Sequence, residues 1–253
     1  ISHSEKKMTK LSRRVFLGSA PAAAAAAGIF GTFFSTAAEA AIKWNETYNV
    51  IVIGAGGAGL SAAVSAKEAG AKKVVVLEKM MFAGGNTIRA GGGFNAAIKA
   101  DYEKAGITDS PKLHAQQTLA AGDGRGDPVL VHQLAEKAPE SVQWLKDHGV
   151  KFQDHIYQIY GGLYKRARNP IGPRGGAYIK ALLEVCKKED IPILCNTRVV
   201  EIIREHQLSG RVLGVKVEQK GGKTLYLRAT NAVVAAAGGF AANDRLTAIS
   251  DPR

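Results

Sequence analysis

The chain has 253 residues, 46% of them hydrophobic, so it is long enough to bury one large core or two small ones. Its formal net charge is +12, but the basic residues are scattered without a basic run or interleaved aromatics, which argues against nucleic-acid binding. Cys186 and Cys195 form no disulfide framework, no metal cluster and no Cys-x-x-Cys-His haem attachment motif.

The first forty residues have the layout of a twin-arginine export signal. Arg13 and Arg14 precede an alanine-rich apolar stretch from Gly18 to Thr36, and Ala38-Glu39-Ala40 supplies a small-x-small cleavage pattern. An uncleaved membrane anchor is the alternative, although alanine-rich segments insert poorly compared with leucine-rich ones. We predict a signal peptide at residues 1–40, export of the folded protein to the periplasm, and no stable membrane span in the mature chain.

A strand, a glycine-rich turn and a helix follow the leader. Tyr48–Ile53 is a short apolar run typical of a buried parallel strand, and it leads directly into the sequence Gly-Ala-Gly-Gly-Ala-Gly at residues 54–59. Leu60 to Ala69 has the composition of a helix that packs closely on a sheet, with Gly70 as its left-handed end. A second strand, Lys73 to Leu77, then delivers Glu78.

This spacing is typical of dinucleotide binding. Gly54 permits the tight turn, Gly56 allows the backbone to approach a diphosphate, and Gly59 lets the helix pack on the strand. The amino terminus of the helix offers N–H groups and a partial positive charge to phosphates. Glu78 lies nineteen residues past Gly59, where a carboxylate can accept hydrogen bonds from a ribose.

The residues after Glu78 favour FAD over a nicotinamide nucleotide. Two further glycine-rich stretches, residues 84–87 and 91–93, follow within twenty residues of the acid. A nicotinamide-binding fold would normally continue into another helix here. Repeated close backbone approach fits a cofactor whose diphosphate, ribityl chain and ring system pass along one segment.

Residues 98–190 are predicted to form a mainly helical insertion. Asp127-Pro128 is a good helix start, and Pro139 is expected to interrupt or kink the helix that begins there. Further helices are predicted over residues 140–147 and from about Ala177 to Lys188. Four histidines lack the spacing of metal ligands and are interpreted as surface residues or as histidines with satisfied hydrogen bonds: His114, His132, His148 and His155.

From Arg198 onward the pattern changes to strands, with turns predicted at Ser209-Gly210 and Gly221-Gly222. A last apolar run, Asn231–Ala237, is predicted to be a buried strand beside the first strand of the sheet. Gly238 and Gly239 follow it. The predicted organisation is therefore a signal peptide at 1–40, a cofactor domain at 41–97 and 191–253, and an insertion at 98–190.

Four of these stretches together resemble the flavoprotein subunits of fumarate reductase and succinate dehydrogenase, and among them the soluble periplasmic flavocytochrome c fumarate reductases. The resemblance covers residues 47–253 and is strongest at residues 51–79, 84–97, 196–202 and 231–244. It implies a Rossmann-like α/β FAD-binding domain of the GR2 type, with a mainly helical insertion and a β-hairpin layer, that ends before the family's capping domain.

The resemblance also implies how FAD is held. The backbone of Val199 is expected to meet the adenine, and Asn86 stands where membrane-bound relatives attach FAD through a histidine, which implies noncovalent FAD. The motifs and the resemblance together predict the following cofactor-binding residues: Gly54, Gly56, Gly57, Ala58, Gly59, Glu78, Lys79, Gly85, Asn86, Thr87, Gly91, Gly92, Gly93, Val199, Gly238 and Gly239.

One segment departs from the family pattern. Where relatives read Arg-Ser-His-Arg-Pro-Thr-Gly, residues 166–172 read Arg-Ala-Arg-Asn-Pro-Ile-Gly. One interpretation is a surface loop that has drifted. The other is that the substrate is not fumarate but another unsaturated carboxylate, such as urocanate or an acrylate.

The chemistry implied by the family is hydride transfer from reduced FAD to the double bond of such an acid, with an arginine as proton donor. Those catalytic groups lie in the second half of the family's chain and are expected beyond Arg253, so no catalytic residue is assigned here. The chain alone is expected to be inactive. Arg89 is interpreted as a phosphate or surface contact. Electrons would come from a separate c-type cytochrome or a quinol-linked donor.

Two functions from other classes remain open. One is an NAD-dependent dehydrogenase, which the glycines after Glu78 disfavour. The other is a noncatalytic flavin-binding module that relays electrons.

Overall fold

The computed structural model describes residues 42–206 and 209–250, so the predicted export signal and its cleavage site lie outside the described residues. Six strands form the main sheet: β1 (Glu46–Ile53), β2 (Val74–Leu77), β6 (Ile193–Leu194), β7 (Thr197–His206), β8 (Ser209–Gln219) and β9 (Thr224–Ala235). Their order in the sheet is β6-β2-β1-β9-β8-β7.

The centre of this sheet is parallel and its far side is antiparallel. Strand β1 pairs in parallel with β2, in the register Val52↔Val76, and with β9, in the register Val52↔Val234. Strands β7, β8 and β9 form an antiparallel layer. The Rossmann-like α/β fold and the position of the last strand beside the first are thus confirmed.

Six helices are found in the described part of the chain, with a short 3₁₀ helix at Thr87–Arg89 between the second strand and the second helix. They are α1 (Gly57–Glu68), α2 (Lys99–Lys104), α3 (Pro111–Ala121), α4 (Pro128–Asp147), α5 (Gly175–Lys188) and α6 (Asp244–Ser250). Among the described residues, no helix is both long and apolar enough to cross a membrane.

The main core lies between β1, β2 and two helices. Leu60 and Val64 of α1 pack with Ile179 and Leu182 of α5, and these side chains are almost fully buried. Apolar burial of this extent is the main stabilising contribution to the sheet and its helices. The predicted division of the chain into parts stays a prediction, but α5, from the end of the predicted insertion, shares a core with α1.

The expected burial of the run Asn231–Ala237 is wrong. Val233 and Val234 are half-buried, and Asn231, Ala232 and Ala235 are exposed. The strand lies beside β1, as expected, but α1 packs mainly against β1 and β2. Apolar composition correctly predicted a strand here, whereas the burial of that strand depends on which elements pack against it.

Residues 98–190 are mainly helical, as predicted, but two short strands among them and a third strand just before them form a small antiparallel sheet that the sequence did not reveal. Its order is β3 (Phe94–Asn95), β5 (Lys165–Arg168) and β4 (Tyr157–Gln158). Strands of two to four residues are too short to show a periodicity of two.

Of the interruption or kink expected at Pro139, the interruption is wrong. Helix α4 runs through Pro139 without a break, so that the predicted second helix at residues 140–147 is its second half. The start is as predicted, because the Asp127 carboxylate accepts hydrogen bonds from the N–H groups of Val129 and Leu130. Ala135, Ala138 and Val142 are buried on both sides of the proline, and this packing favours the continuous helix.

The two predicted turns have different outcomes. Gly221 and Gly222 lie between β8 and β9, both with positive φ, as predicted. At the other turn, Ser209 and Gly210 already belong to β8, and Ser209 pairs with His206. The two intervening residues, 207 and 208, lie outside the described part of the chain.

Candidate cofactor site

The turn between β1 and α1 is closely packed. Gly54 has φ +102, and a Cβ atom there would lie 2.4 Å from the carbonyl oxygen of Ala236. A Cβ atom at Gly59 would lie 1.8 Å from the carbonyl oxygen of Gly54. Both distances are far below van der Waals contact, so only glycine permits this turn and this helix position.

The amino terminus of α1 carries donors that the helix itself does not satisfy. The first turn contains no acidic residue, and Gly56 at the N-cap makes no side-chain capping bond. The N–H of Gly57 donates to Thr87 Oγ1 at 3.1 Å. The acceptors that would lie four residues before Ala58 and Gly59 are outside the helix, and neither N–H has a partner among the described residues. Ala58 is exposed, so its N–H is available to an anion, whereas Gly59 is buried.

Glu78 lies at the carboxyl end of β2, beside this turn, and is 7% exposed. Its Oε2 accepts the N–H of Ala55 at 2.8 Å, and its Oε1 accepts the N–H of Met80 at 2.9 Å. Each carboxylate oxygen has a further lone pair. Two backbone donors therefore fix the orientation of the Glu78 carboxylate, which can still accept further hydrogen bonds.

The segment from Gly84 to Gly93 passes across the amino terminus of α1. Gly84 donates its N–H to Ala55 O at 2.8 Å, and a Cβ atom at Gly85 would lie 3.1 Å from the Cα atom of Gly56. Thr87 Oγ1 accepts from Gly57, which leaves its own O–H free to donate. The first two glycine-rich stretches are thus in direct contact, as their predicted roles require.

Other predicted residues lie at the rim of the same region. The positions of Gly91, Gly238 and Gly239 have no atom within 4 Å of an added Cβ, and Lys79 and Asn86 are exposed. Thr197 donates its N–H to Glu78 O at 2.9 Å, which places the start of β7 and the nearby Val199 close to the acid. The binding role of these residues stays a prediction.

No catalytic residue is assigned in this region. The prediction that the catalytic groups lie beyond Arg253 falls outside residues 42–206 and 209–250, which the structure describes. The described geometry therefore concerns the holding of a cofactor and not the proton donor, whose location stays a prediction.

The surface-loop interpretation of residues 166–172 is wrong. Arg166, Ala167 and Arg168 are 5%, 0% and 3% exposed in β5, the central strand of the small sheet. Arg166 forms a bidentate ion pair with Asp109, in which Nε donates to Oδ2 at 2.9 Å and Nη2 donates to Oδ1 at 2.8 Å. Arg168 pairs with Asp101 and donates to Ala96 O at 3.0 Å. The two aspartates neutralise both buried guanidinium groups.

His114 also departs from the expectation of a surface or satisfied histidine. It is 5% exposed, and its Nδ1 has no hydrogen-bond partner among the described residues. Burial, and secondly the nearby charge of Arg166, lower the pKa of His114. His148 fits the expectation, because its Nε2 lies 2.9 Å from Glu68 Oε1 and its Nδ1 lies 2.7 Å from Trp144 O.

Sequence reasoning missed two residues of α5 that contact the glycine-rich segment. Gly175 donates its N–H to Ala90 O at 3.1 Å, and a Cβ atom there would lie 1.9 Å from Thr87 O. The Tyr178 hydroxyl donates to Gly92 O at 2.7 Å. The pair Gly175-Gly176 is a signal of close approach that was available in the sequence, whereas nothing local indicates the tyrosine contact.

Residues 49–252 match the family model described as FAD binding domain, and the chain belongs to that family. It is 37% identical over 210 residues to a fumarate reductase (cytochrome) of Shewanella frigidimarina, covering 82% of this chain and 36% of the relative. It is 32% identical over 218 residues to an acrylate reductase flavoprotein subunit of Shewanella woodyi, and the match covers 83% of this chain and 43% of the relative. A urocanate reductase of Eggerthella lenta is 35% identical over 197 residues, and the match covers 77% of this chain and 32% of the relative.

Among solved structures, the open conformation of a flavocytochrome c3 fumarate reductase matches with a TM-score of 0.76 at 32% identity, covering 83% of this chain and 36% of that chain. The predicted resemblance to this family of FAD-dependent oxidoreductases and the FAD cofactor are thereby confirmed. The nicotinamide alternative is wrong. The chain spans little more than a third of the length of the fumarate reductase relative.

The residues described here fit FAD. The uncapped first turn of α1 suits a diphosphate, and Glu78, with its spare lone pairs, suits a ribose. Gly56 has no atom closer than 3.8 Å to an added Cβ, so that side of the turn has room for close backbone approach.

Proposed function

We propose that this chain is the FAD-binding part of a flavoprotein reductase that acts on the double bond of an unsaturated carboxylate, such as fumarate, an acrylate or urocanate. The observation that carries the proposal is the meeting of the uncapped α1 terminus, Glu78 and the Gly84–Gly93 segment at one edge of the sheet. The activities after which the relatives are named support this substrate class.

Different residues of the chain would bind different parts of FAD. The N–H of Ala58 would bind the diphosphate, with the Thr87 hydroxyl as a further donor, and Gly59 would let the helix pack closely enough to present that N–H. Glu78 would accept from the ribose of the adenosine, and the backbone of Val199 would contact the adenine. When bound and reduced, FAD supplies the hydride.

The attachment of FAD is proposed to be noncovalent. Asn86, the residue at the place of the linking histidine in membrane-bound relatives, is exposed, and an amide does not form that bond. A denaturing gel of the holoprotein should show no flavin fluorescence that migrates with the polypeptide. A fluorescent protein band would contradict noncovalent binding.

The site of action and the electron donor belong to the same proposal. Export to the periplasm by the twin-arginine route suits a flavoprotein, because this route carries folded cargo. A separate c-type cytochrome or a quinol-linked donor would supply electrons. Replacement of Arg13 and Arg14 by lysine should abolish appearance of the protein in the periplasmic fraction.

The decisive experiment uses the full-length protein with its flavin. Oxidation of reduced methyl viologen is followed spectrophotometrically with fumarate, acrylate or urocanate in separate reactions. We expect turnover with at least one of the three acids. A yellow protein that reduces none of them would leave the noncatalytic electron-relay function, and a protein that stays colourless with excess FAD would refute the cofactor site.

A further inference from the structure

The Gly92–Gly93 peptide is held from one side by a tyrosine far away in sequence. Tyr178 is 8% exposed, and its ring packs near Phe94 and Phe152, with centroid distances of 6.5 and 6.0 Å. Its hydroxyl donates to the carbonyl oxygen of Gly92 at 2.7 Å. The carbonyl of Gly92 therefore points into the protein interior.

This contact also fixes the direction of the next N–H group. None of the peptide bonds in the described residues is cis, and in a trans peptide the C=O and the following N–H point in opposite directions. The N–H of Gly93 consequently points away from Tyr178. Gly93 is exposed, and its N–H makes no hydrogen bond within the described part of the chain.

The surroundings of this peptide are closely packed. Gly92 is buried with φ +86, and a Cβ atom there would lie 2.8 Å from the carbonyl carbon of Arg174. Two residues earlier, Ala90 O accepts the N–H of Gly175 at 3.1 Å. Helix α5 thus holds the segment at Ala90 through its first residue and at Gly92 through Tyr178, one turn later.

We propose that Tyr178 is a positioning residue of the FAD site, which orients the Gly92–Gly93 peptide so that the Gly93 N–H is presented to the cofactor. This inference rests on the proposed FAD site. Burial raises the pKa of Tyr178, so the phenol stays protonated and remains a donor at physiological pH. A backbone donor near the ring system would stabilise the electron-rich reduced flavin more than the oxidised flavin.

The test compares Tyr178→Phe with the wild-type full-length holoprotein. The variant keeps the ring and removes only the hydroxyl. We expect the dissociation constant of oxidised FAD to rise measurably and that of reduced FAD to rise about tenfold more, which lowers the two-electron midpoint potential by about 30 mV. Flavin fluorescence titration and spectroelectrochemistry measure the two quantities.

Tyr164→Phe is the matched control, because the Tyr164 hydroxyl also donates to a backbone carbonyl, that of Thr108, outside the glycine-rich segment. It should leave both quantities unchanged. If Tyr178→Phe lowers only the melting temperature and leaves the midpoint potential at the wild-type value, the positioning role is refuted.

A second measurement needs no variant. In the wild-type protein, exchange of the Gly93 amide hydrogen, followed by NMR with ¹⁵N-glycine labelling, should slow when FAD binds. Unchanged exchange in a protein that demonstrably binds FAD would overturn the role of Tyr178 alone. A wild-type protein that binds no FAD would instead overturn the proposed site.

Discussion

Gly59 and Gly91 belong to the same predicted site, but a side chain at each would meet different surroundings. At Gly59 an added Cβ would lie 1.8 Å from a backbone oxygen, whereas at Gly91 it would have no atom within 4 Å. Gly59 is therefore required for the close packing of the fold, whereas Gly91 leaves open space at the surface of the site.

Alanine substitutions should separate these two uses of glycine. Gly59→Ala should lower the free energy of unfolding by about 3 kcal/mol, because backbone atoms must move to admit the methyl group. Gly91→Ala should change the free energy of unfolding by less than about 1 kcal/mol and weaken FAD binding. Urea unfolding of the apoprotein and flavin titration measure the two effects, and equal destabilisation by both variants would contradict the distinction.

The buried His114 predicts a dependence of stability on pH. Its pKa is lowered in the folded state, so the unfolded chain binds a proton more readily. The stabilising contribution of the neutral imidazole is present above about pH 6.5, the ordinary pKa of histidine, and is lost as the pH falls through the lowered value. Stability measured by urea unfolding should therefore decline from pH 7 to pH 5.5.

His114→Gln should make that decline shallower, whereas His155→Gln should leave its slope unchanged, because His155 is exposed. Identical slopes for His114→Gln and the wild type would show that another group is responsible.

At the scale of elements, the small sheet is tied to the helical region by buried charge. The Arg166 and Asp109 side chains are 6% and 1% exposed and join β5 to the segment that precedes α3. Gln117 of α3 accepts a further hydrogen bond from Arg166 at 2.7 Å. Loss of one partner would leave the other charge buried without compensation.

Asp109→Asn should accordingly lower the free energy of unfolding by about 3 kcal/mol. The control is Asp154→Asn, which removes the exposed pair with Lys104, at 2.9 Å, and should produce no measurable change. Chemical denaturation of both variants tests the contrast. A neutral Asp109→Asn variant would mean that the buried pair does not support the insertion.

For the whole molecule, cofactor binding and folding should be linked, because FAD would join β1, α1, β2 and the Gly84–Gly93 segment. A free FAD concentration 100-fold above the dissociation constant should add about 2.7 kcal/mol to the free energy of unfolding. Thermal melts of apoprotein with FAD should show a higher melting temperature. Riboflavin, which lacks the diphosphate and adenosine, should raise it less; an equal shift would mean that α1 and Glu78 do not bind the nucleotide part.

The sequence predicted the central strand–turn–helix unit, the left-handed conformation of Gly70 after α1, where φ is +90, and the helix start at Asp127. These features depend on local properties: apolar periodicity, left-handed glycine conformations and capping side chains. It also predicted the FAD family, because several motifs of that family occur together. It failed at Pro139 and at Arg166–Arg168, where packing by distant elements outweighs local preference.

By itself, therefore, the sequence determined the order of the parallel strands around the glycine-rich turn and the nature of the cofactor. Only the tertiary structure decided which glycines are packed and which face open space, that Arg166 and Arg168 are neutralised internally, and that Tyr178 reaches Gly92. Each of these contacts joins residues that are distant along the chain, and such contacts depend on how whole elements pack, which local composition does not encode.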